Sequence, residues 1–280
     1  MSSEINLALV GASGVVGKKI ISLLEKKNVK VKNFYPLGSS SVGDKISFND
    51  QIFEIESLSN FDCTSADIAI FSAGSSVARD HAPDFVKKGV YVVDLSSEFR
   101  YEEDIPLIIP EINPQALIDA DGPILIANPN CSVSQLLIAI EPIHRKFNID
   151  ILNIATYQAV SGTGRKAVEE LHNQVEDKSV KPDIYPKQIA FNVIPQCDVF
   201  LENDFTKEEM KVTWETKKIL DPNIEVQATC ARVPVVNGHS EAVFFRTEYN
   251  ISKDEIIELL SSYKAIKVID EPKTLDYPTP

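Results

Sequence analysis

The sequence has no apolar run that approaches the roughly 20 residues of a membrane span. Its first residues, MSSEINLALVG, also lack the charged region and cleavage site of a secretory signal. We therefore expect no membrane partner and no export. Cations are scarce as well, because 28 Lys and Arg residues face 41 Asp and Glu residues, for a net charge of −13. That balance argues against nucleic acid as a partner.

Cysteine and histidine are few and widely spaced. No CxxC pair and no HExxH spacing occurs, so the sequence predicts neither a metal site nor a disulfide framework. Reduced thiols are typical of a cytoplasmic protein, and we expect that location here. The four cysteines are Cys63, Cys131, Cys197 and Cys230, and the four histidines are His81, His144, His172 and His239.

The first half of the chain alternates short apolar strands with helices. Such a pattern predicts a parallel sheet covered on both faces, in a doubly wound α/β domain that binds a nucleotide. We assign this dinucleotide-binding domain to residues 1–130. Pro83 predicts a break or a start within its second helix. The predicted strands are 5–11, 31–37, 67–73, 90–96 and 123–129, the helices are 15–27 and 76–89, and a hairpin runs through 45–55.

The pattern changes after residue 130 to longer, alternating strands. They predict a second, α+β domain over residues 131–280, with a mostly antiparallel sheet. The sequence SKDE at 252–255 is a capping box that opens a helix. The other predicted elements of this domain are strands 150–160, 224–236 and 240–250 and helices 163–177 and 207–220.

A glycine-rich turn joins the first strand to the first helix in LALVGASGVVGKKI. Gly11, Gly14 and Gly17 have G-x-x-G-x-x-G spacing, a variant of the dinucleotide fingerprint; an ordinary turn is the alternative. No acidic residue lies between Glu25 and Asp44 to hold a ribose 2′-hydroxyl. The hydroxyl-rich loop LGSSSVG (37–43) fits a 2′-phosphate and favours NADP, although a solvated loop would have the same composition.

The sequence ANPNCSVSQLLIAI places Cys131 on the first turn of a buried helix. Unpaired N–H groups and the helix dipole favour a thiolate there, whereas a small buried hydrophobic residue is the plainer interpretation. His239 lies between a turn signal and a strand, and it would supply the proton donor that thiolate chemistry needs.

Four further polar residues are candidates with two interpretations each. Gln158 either orients a substrate or caps the turn that follows its strand. Arg100, Lys211 and Arg232 are either ligands for an anion or ordinary solvated charges. Two functions therefore compete: an oxidoreductase that forms a thioester on Cys131, and a nucleotide-binding sensor or structural protein.

Seven motifs in order closely resemble the aspartate-β-semialdehyde dehydrogenase family. They are ALVGASGVVG, SSEFR, PLIIPEIN, ANPNCS, TYQAVSGTG, EEMKVTWETKKIL and ARVPVVNGHSE, and the similarity covers nearly all of residues 5–250. NPNCS separates the chain from the N-acetyl-γ-glutamyl-phosphate reductases. The resemblance implies a Rossmann-like nucleotide-binding domain and a second α+β domain of the semialdehyde dehydrogenase/glyceraldehyde-3-phosphate dehydrogenase-like type, with catalytic and dimerisation roles.

The resemblance also implies roles for individual residues. Cys131 matches the nucleophile, His239 the acid/base and Gln158 the residue that orients the acyl intermediate. The substrate-binding matches are Arg232 and Glu208 at the substrate carboxylate and Arg100, Asn130 and Lys211 at the phosphate. The implied cofactor-binding residues are Gly11, Ala12, Ser13, Gly14, Val15, Val16, Ser39, Ser40, Ser72, Ala73, Gly74, Ser161 and Gly162.

The implied activity is the NADP-dependent interconversion of L-aspartyl-4-phosphate and L-aspartate-4-semialdehyde with release of phosphate, in a homodimer or homotetramer. Two departures from the family are visible. Ser41 stands where the family commonly has an arginine near the 2′-phosphate. Family members also continue for several dozen residues, so we expect a missing C-terminal segment, with a catalytically weak or inactive paralogue as the alternative.

Overall fold

A computed structural model describes residues 4–280 of the chain. The chain divides into two compact units, the first ending at Pro129 and the second covering Asn130–Pro280. Within the described residues, no helix is both long enough and apolar enough to cross a membrane.

The first unit is built on a parallel sheet, as the sequence predicts, with β5 as a sixth strand beside the five predicted ones. Its strand order is β5-β2-β1-β6-β7-β8, with a separate β3–β4 hairpin beside it. The strands are β1 (Ile5–Val10), β2 (Val31–Gly38), β3 (Lys45–Phe48), β4 (Gln51–Glu54), β5 (Glu56–Ser57), β6 (Ile68–Phe71), β7 (Tyr91–Asp94) and β8 (Leu125–Ala127), and the helices are α1 (Val15–Lys26), α2 (Ser75–Lys87) and α3 (Gln115–Ile118).

The order of the strands creates a crevice at the centre of this sheet. The chain moves outward from β1 to β2 and β5, then returns to place β6 on the other side of β1. In open α/β sheets, ligands bind where the strand order reverses in this way, outside the carboxyl ends of the strands. The ends of β1 and β6 therefore mark the expected nucleotide site.

The predicted break at Pro83 is wrong, because α2 is continuous through that residue. Proline removes one N–H from the helix, which costs one hydrogen bond. Ala82 and Phe85 are both buried on either side of Pro83. The Phe85 ring also packs edge-on against Phe71, with ring centroids 5.3 Å apart. This packing holds the helix together across the proline.

The second unit combines a three-stranded sheet with four α-helices. Its longest helix packs against the central strand of that sheet and against two other helices of the unit. The strands are β9 (Ile149–Gln158), β10 (Glu225–Arg232) and β11 (Ser240–Thr247), and the helices are α4 (Cys131–Phe147), α5 (Arg165–Glu176), α6 (Lys207–Ile219) and α7 (Lys253–Ser261).

The prediction of a mostly antiparallel sheet in the second unit is wrong. The strand order is β10-β9-β11, and β9 pairs in parallel with β10 and antiparallel with β11. The connection from β9 to β10 carries α5 and α6. Such a long crossover returns the chain in the same direction, which is the geometry of a parallel pair.

Side chains alternate between the two faces of this sheet. Leu152, Ile154 and Gln158 of β9 are buried on the inner face. The other face, called the open face below, carries Phe244, which is 69% exposed, and Tyr157, which is 44% exposed. A shallow hollow on this face is lined by Asn153, Ala155, Gln227, Thr229, Ala242 and Phe244.

The start of α4 is fixed by its cap and its apolar face. The Asn130 side chain accepts a hydrogen bond from the Ser132 N–H, so Asn130 is the N-cap. Val133, Leu136 and Leu137 are buried along one face of the helix. Cys131 thus occupies the first helical position, as the sequence predicts.

Candidate active site

The turn between β1 and α1 depends on its glycines. Gly11 has a φ of +84°, and a Cβ there would lie 2.9 Å from the backbone of Ser72. A Cβ on Gly17 would lie 2.3 Å from the Gly11 carbonyl oxygen. In the described chain no side chain caps α1, and its first turn contains no acidic residue. The turn therefore fits the pyrophosphate of a dinucleotide, which binds at an open helix N-terminus.

Two further predicted cofactor residues of the first unit, Ser13 and Ser72, make hydrogen bonds in or beside this turn. Ser72 follows β6, and its hydroxyl donates to the Val10 carbonyl at 2.8 Å. The Ser13 hydroxyl donates to that of Ser41, at 2.9 Å, which ties the glycine turn to the loop after β2. Ser39 and Ser40 in that loop are exposed.

Arg100 is buried, contrary to the interpretation as a solvated charge. It lies in the loop after β7, and its guanidinium donates to the Leu95 carbonyl at 3.2 Å. Asp94 at the start of that loop accepts from the N–H and the hydroxyl of Ser96. Burial raises the pKa of Asp94, although both Ser96 hydrogen bonds and the Arg100 charge oppose the shift.

Cys131 and His239 meet in the second unit. The Cys131 Sγ lies 3.2 Å from His239 Nε2, although 108 positions separate the two residues in the sequence. Cys131 is exposed, whereas Cys63, Cys197 and Cys230 are buried, and none of the four forms a disulfide in the described chain. The interpretation of Cys131 as a small buried hydrophobic residue is therefore wrong.

The backbone sets the tautomer of His239. The Ala159 N–H donates to His239 Nδ1 at 3.0 Å, so Nδ1 must carry a lone pair. Burial lowers the pKa of His239, the Arg232 charge adds to that shift, and Glu208 opposes it. The neutral ring then has its proton on Nε2, which faces the sulfur of Cys131. In this tautomer His239 is a hydrogen-bond donor to the sulfur.

Gln158 belongs to a buried polar network beneath the Cys131 turn. Its Nε2 donates to the Ser132 hydroxyl at 2.8 Å and to Glu208 Oε1 at 3.0 Å. Glu208 Oε1 also accepts from Asn130 Nδ2 at 2.9 Å. Within the described residues, Gln158 Oε1 is buried without a hydrogen-bond partner, so it remains available to a substrate donor.

Two cations adjoin this network. Lys211 Nζ donates to Glu208 Oε2 at 3.1 Å and to Asp198 Oδ2 at 2.6 Å, and its side chain is only 12% exposed. Arg232 is buried, and its Nη1 donates to the Ala159 carbonyl at 2.7 Å. Neither Lys211 nor Arg232 is the solvated charge that the composition of the sequence alone would favour.

Charge pairing governs ionisation around Lys211. Burial alone would raise the pKa of Glu208, but the Lys211 charge and the hydrogen bonds from Gln158 and Asn130 leave it below its usual range. Burial would lower the pKa of Lys211, but Glu208 and Asp198 raise it overall. All three groups are therefore charged near neutral pH.

Ser161 and Gly162 lie in the turn after β9, within the second unit. A Cβ on Gly162 would be 3.2 Å from Arg232 Nη1 and 3.4 Å from His239 Cε1. This glycine therefore lies against Arg232 and His239, and a larger residue would crowd both side chains.

Several residues around the site escape sequence reasoning. Glu215 on α6 is fully buried and accepts from the Asn130 N–H at 2.6 Å. Its spacing of seven from Glu208, two helical turns, could have indicated that both carboxylates share a face. Gln135 Nε2 donates to Glu241 at 2.7 Å and to the His239 carbonyl at 3.3 Å.

Glu241 is a further titratable group near His239 that sequence reasoning did not single out. Burial raises its pKa to about 7, and the hydrogen bond from Gln135 opposes that shift. No spacing signal marks this residue, because its partner Gln135 lies 106 positions away. Over residues 4–280 no group of three His, Cys, Asp or Glu side chains could hold a metal ion.

Two family models match the chain and define its class. The model described as semialdehyde dehydrogenase, NAD binding domain, matches residues 6–120, and that described as semialdehyde dehydrogenase, dimerisation domain, matches residues 140–280. Together with the doubly wound sheet, these matches define a semialdehyde dehydrogenase that uses a nicotinamide cofactor.

Individual relatives narrow the class. An aspartate-semialdehyde dehydrogenase of Shewanella violacea is 45% identical over 100% of this chain and 84% of its own length. The crystal structure of aspartate semialdehyde dehydrogenase II from Vibrio cholerae, complexed with ASA, superposes with a TM-score of 0.93 at 39% identity, covering 95% of this chain and 81% of that one. The chain belongs to the aspartate-semialdehyde dehydrogenase family.

A more distant member was solved with a cofactor. The aspartate semialdehyde dehydrogenase from Candida albicans, crystallised with NADP, has a TM-score of 0.71 at 25% identity, over 93% of this chain and 77% of that one. The fold is therefore shared well beyond the similar bacterial sequences.

Proposed function

We propose that the chain reduces L-aspartyl-4-phosphate to L-aspartate-4-semialdehyde with NADPH and releases phosphate. The observation that carries the proposal is the 3.2 Å approach of Cys131 Sγ and His239 Nε2 at the start of a helix. The reaction would serve the biosynthesis of lysine (through diaminopimelate), threonine and methionine. No disulfide joins the four cysteines of the described chain, which agrees with a cytoplasmic location.

The dinucleotide would be held by the glycine turn Gly11–Val16, by Ser72–Gly74 and by the loop after β2. We favour NADP because that loop offers hydroxyls from Ser39 and Ser40 and no carboxylate to repel a 2′-phosphate. Ser41 replaces the family's common arginine, so we expect only a modest preference over NAD. When bound, the reduced nicotinamide supplies the hydride that converts a thioester to a thiohemiacetal.

Cys131 would act as the nucleophile. Its place on the first turn of α4 and the His239 Nε2–H both stabilise negative charge on sulfur. The thiolate attacks the acyl carbon, a carbon–sulfur bond forms, the carbon–oxygen bond to phosphate breaks, and phosphate leaves with the electron pair.

His239 would stabilise the sulfur as the reaction ends. When the thiohemiacetal alkoxide collapses, the carbon–oxygen double bond forms, the carbon–sulfur bond breaks and the sulfur regains its electron pair as a thiolate. The Nε2–H already faces that sulfur and stabilises its charge through a hydrogen bond. The Ala159 N–H keeps the ring in the donating tautomer, so the ring itself stays neutral.

The polar network would orient an anionic substrate. The Arg232 guanidinium suits a carboxylate, and its Nε is buried without a partner in the described chain. Glu208 would bind the substrate's amino group, and Gln158 Oε1 would orient the acyl intermediate. Lys211, Asn130 and Arg100 would bind the phosphate, as the resemblance implies.

A coupled assay tests the proposal directly. Phosphate-dependent reduction of NADP by L-aspartate-4-semialdehyde should occur in the parent chain, with slower reduction of NAD. Cys131→Ala should abolish turnover while NADP binding persists. Normal turnover in that variant would remove the central claim.

Thiol labelling separates the enzyme from a non-catalytic nucleotide-binding protein. Cys131 should react rapidly with iodoacetamide near neutral pH. Cys197 and Cys230 are internal controls, because burial raises the pKa of each thiol to about 12. A Cys131 no faster than these controls would favour the non-catalytic alternative.

The dimerisation model over residues 140–280 also supports a homodimer, which we propose forms through the open face. Exposed aromatic rings such as Phe244 and Tyr157 are typical of the core of an interface. A homotetramer would use a further surface.

A further inference from the structure

Asp198 forms an ion pair with Lys211, the cation to which the proposed function assigns the phosphate. The Asp198 Oδ2 lies 2.6 Å from Lys211 Nζ, closer than Glu208 Oε2 at 3.1 Å. With one ammonium between two carboxylates, the three groups together carry a net charge of −1. An incoming phosphate would meet that negative charge before it could reach the lysine.

The two carboxylates differ in how firmly they are held. Glu208 sits on α6, its side chain is 10% exposed, and it also accepts from Asn130 and Gln158. Asp198 lies outside the helices and strands, its side chain is 31% exposed, and its Oδ2 bonds only Lys211 among the hydrogen bonds found in the described chain. Asp198 is therefore the carboxylate that a phosphate can more easily displace from Lys211.

The local backbone favours this conformation of Asp198 independently of Lys211. Asp198 has a φ of +68°, a region that Asp and Asn tolerate better than most residues. Its Oδ1 accepts from the Val199 N–H at 2.9 Å. This bond does not depend on Lys211, so the Asp198 carboxylate keeps a partner when the Lys211 ammonium turns to a phosphate.

We propose that the Asp198 carboxylate competes with phosphate for Lys211. Its carboxylate neutralises the lysine when phosphate is absent, weakens phosphate binding and promotes phosphate release after acyl transfer. The inference rests on the proposed function, in which Lys211 binds the phosphate. It assigns to Asp198 the role of an internal anion that the leaving phosphate must displace.

The test compares Asp198→Asn with Asp204→Asn. Asp204 lies six residues away, has a φ of +65° and is exposed, so its variant makes the same change of charge and shape away from Lys211. Calorimetry with inorganic phosphate should show a dissociation constant about three- to tenfold lower in Asp198→Asn, the scale of a partly exposed ion pair. Asp204→Asn should match the parent.

Steady-state kinetics provide a second reading. In the oxidative direction the KM for phosphate should fall by a similar factor in Asp198→Asn. Product inhibition by phosphate in the reductive direction should strengthen, while the KM for NADP stays the same. Lys211→Met should weaken phosphate binding in the same calorimetric experiment.

Several outcomes would overturn the inference. Phosphate binding that is unchanged or weaker in Asp198→Asn would show that the carboxylate positions Lys211 rather than competing for it. An equal gain in phosphate affinity in Asp204→Asn would show that the effect comes from the net charge of the chain and not from the contact with Lys211. Failure of the proposed function would appear separately, as a parent chain that binds phosphate but does not oxidise the semialdehyde.

Discussion

At the scale of single residues, the site depends on which nitrogen of His239 carries the proton. The Ala159 N–H is a fixed donor at 3.0 Å from Nδ1, so protonation of Nδ1 would bring two N–H groups together. The neutral ring is therefore locked as a donor toward Cys131. A free histidine would divide its population between two tautomers and would lose part of its effect.

Two substitutions of His239 separate the loss of the hydrogen bond to sulfur from its partial replacement. In His239→Asn the amide oxygen can still accept from Ala159, but nothing replaces the Nε2–H, so turnover in the coupled assay should fall by about 10²–10⁴-fold. In His239→Gln an amide N–H can reach the sulfur, so turnover should fall less than in His239→Asn.

Substrate binding is the control for these variants. The KM for the semialdehyde should change much less than kcat, because neither substitution touches Arg232 or Glu208. Near-parental turnover in His239→Asn would show that His239 is structural.

At this scale the sequence predicts which residues are reactive better than it predicts which charged residues are buried. The position of Cys131 on the first turn of a helix suggested chemistry, and the family resemblance assigned roles to Cys131 and His239 without any structure. Composition favoured solvated charge for Lys211 and Arg232, yet both are largely buried. Their burial depends on partners such as Glu208 and Ala159, which only the folded chain brings together.

At the scale of elements, helix α6 holds the beginning of α4. Glu208 and Glu215, two turns apart on α6, accept from the side chain and the backbone of Asn130. Asn130 in turn caps α4 through Ser132. One helix thus fixes the other at the residue that precedes Cys131.

Glu215→Leu should loosen that connection. The Asn130 N–H would lose its acceptor, and a buried unsatisfied donor costs about 1–3 kcal/mol of stability. Urea denaturation should show that loss, and Cys131 should react more slowly with iodoacetamide. Glu215→Gln, which keeps an acceptor oxygen, is the matched control and should lie closer to the parent. Equal stability of the leucine variant and the parent would contradict this coupling.

Most elements could be predicted from apolar periodicity, including the strands of the first unit and the capping box of α7, where Ser252 and Glu255 bond as expected. The continuity of α2 at Pro83 could not, since it depends on packing around Phe85. Nor could the pairing of β9, because strand alternation carries no information about direction. A long crossover decides that pairing.

At the scale of the whole molecule, charge and assembly set the conditions for the site. A net charge of −13 repels an anionic substrate at long range, so attraction must come from cations held close to Cys131. Partial neutralisation of Lys211 by Glu208 and Asp198 limits that attraction further. We infer that binding relies on short-range, directional contacts more than on steering.

Assembly is tested by Phe244→Asp. A carboxylate at the centre of the open face would be desolvated in a dimer, and a buried unpaired charge is strongly unfavourable. Analytical ultracentrifugation should show a shift from dimer to monomer at micromolar concentration. Ile52→Asp is the matched control, because Ile52 is 73% exposed against 69% for Phe244 but lies on the β3–β4 hairpin of the first unit. If both variants sediment as the parent does, the dimer forms through another surface.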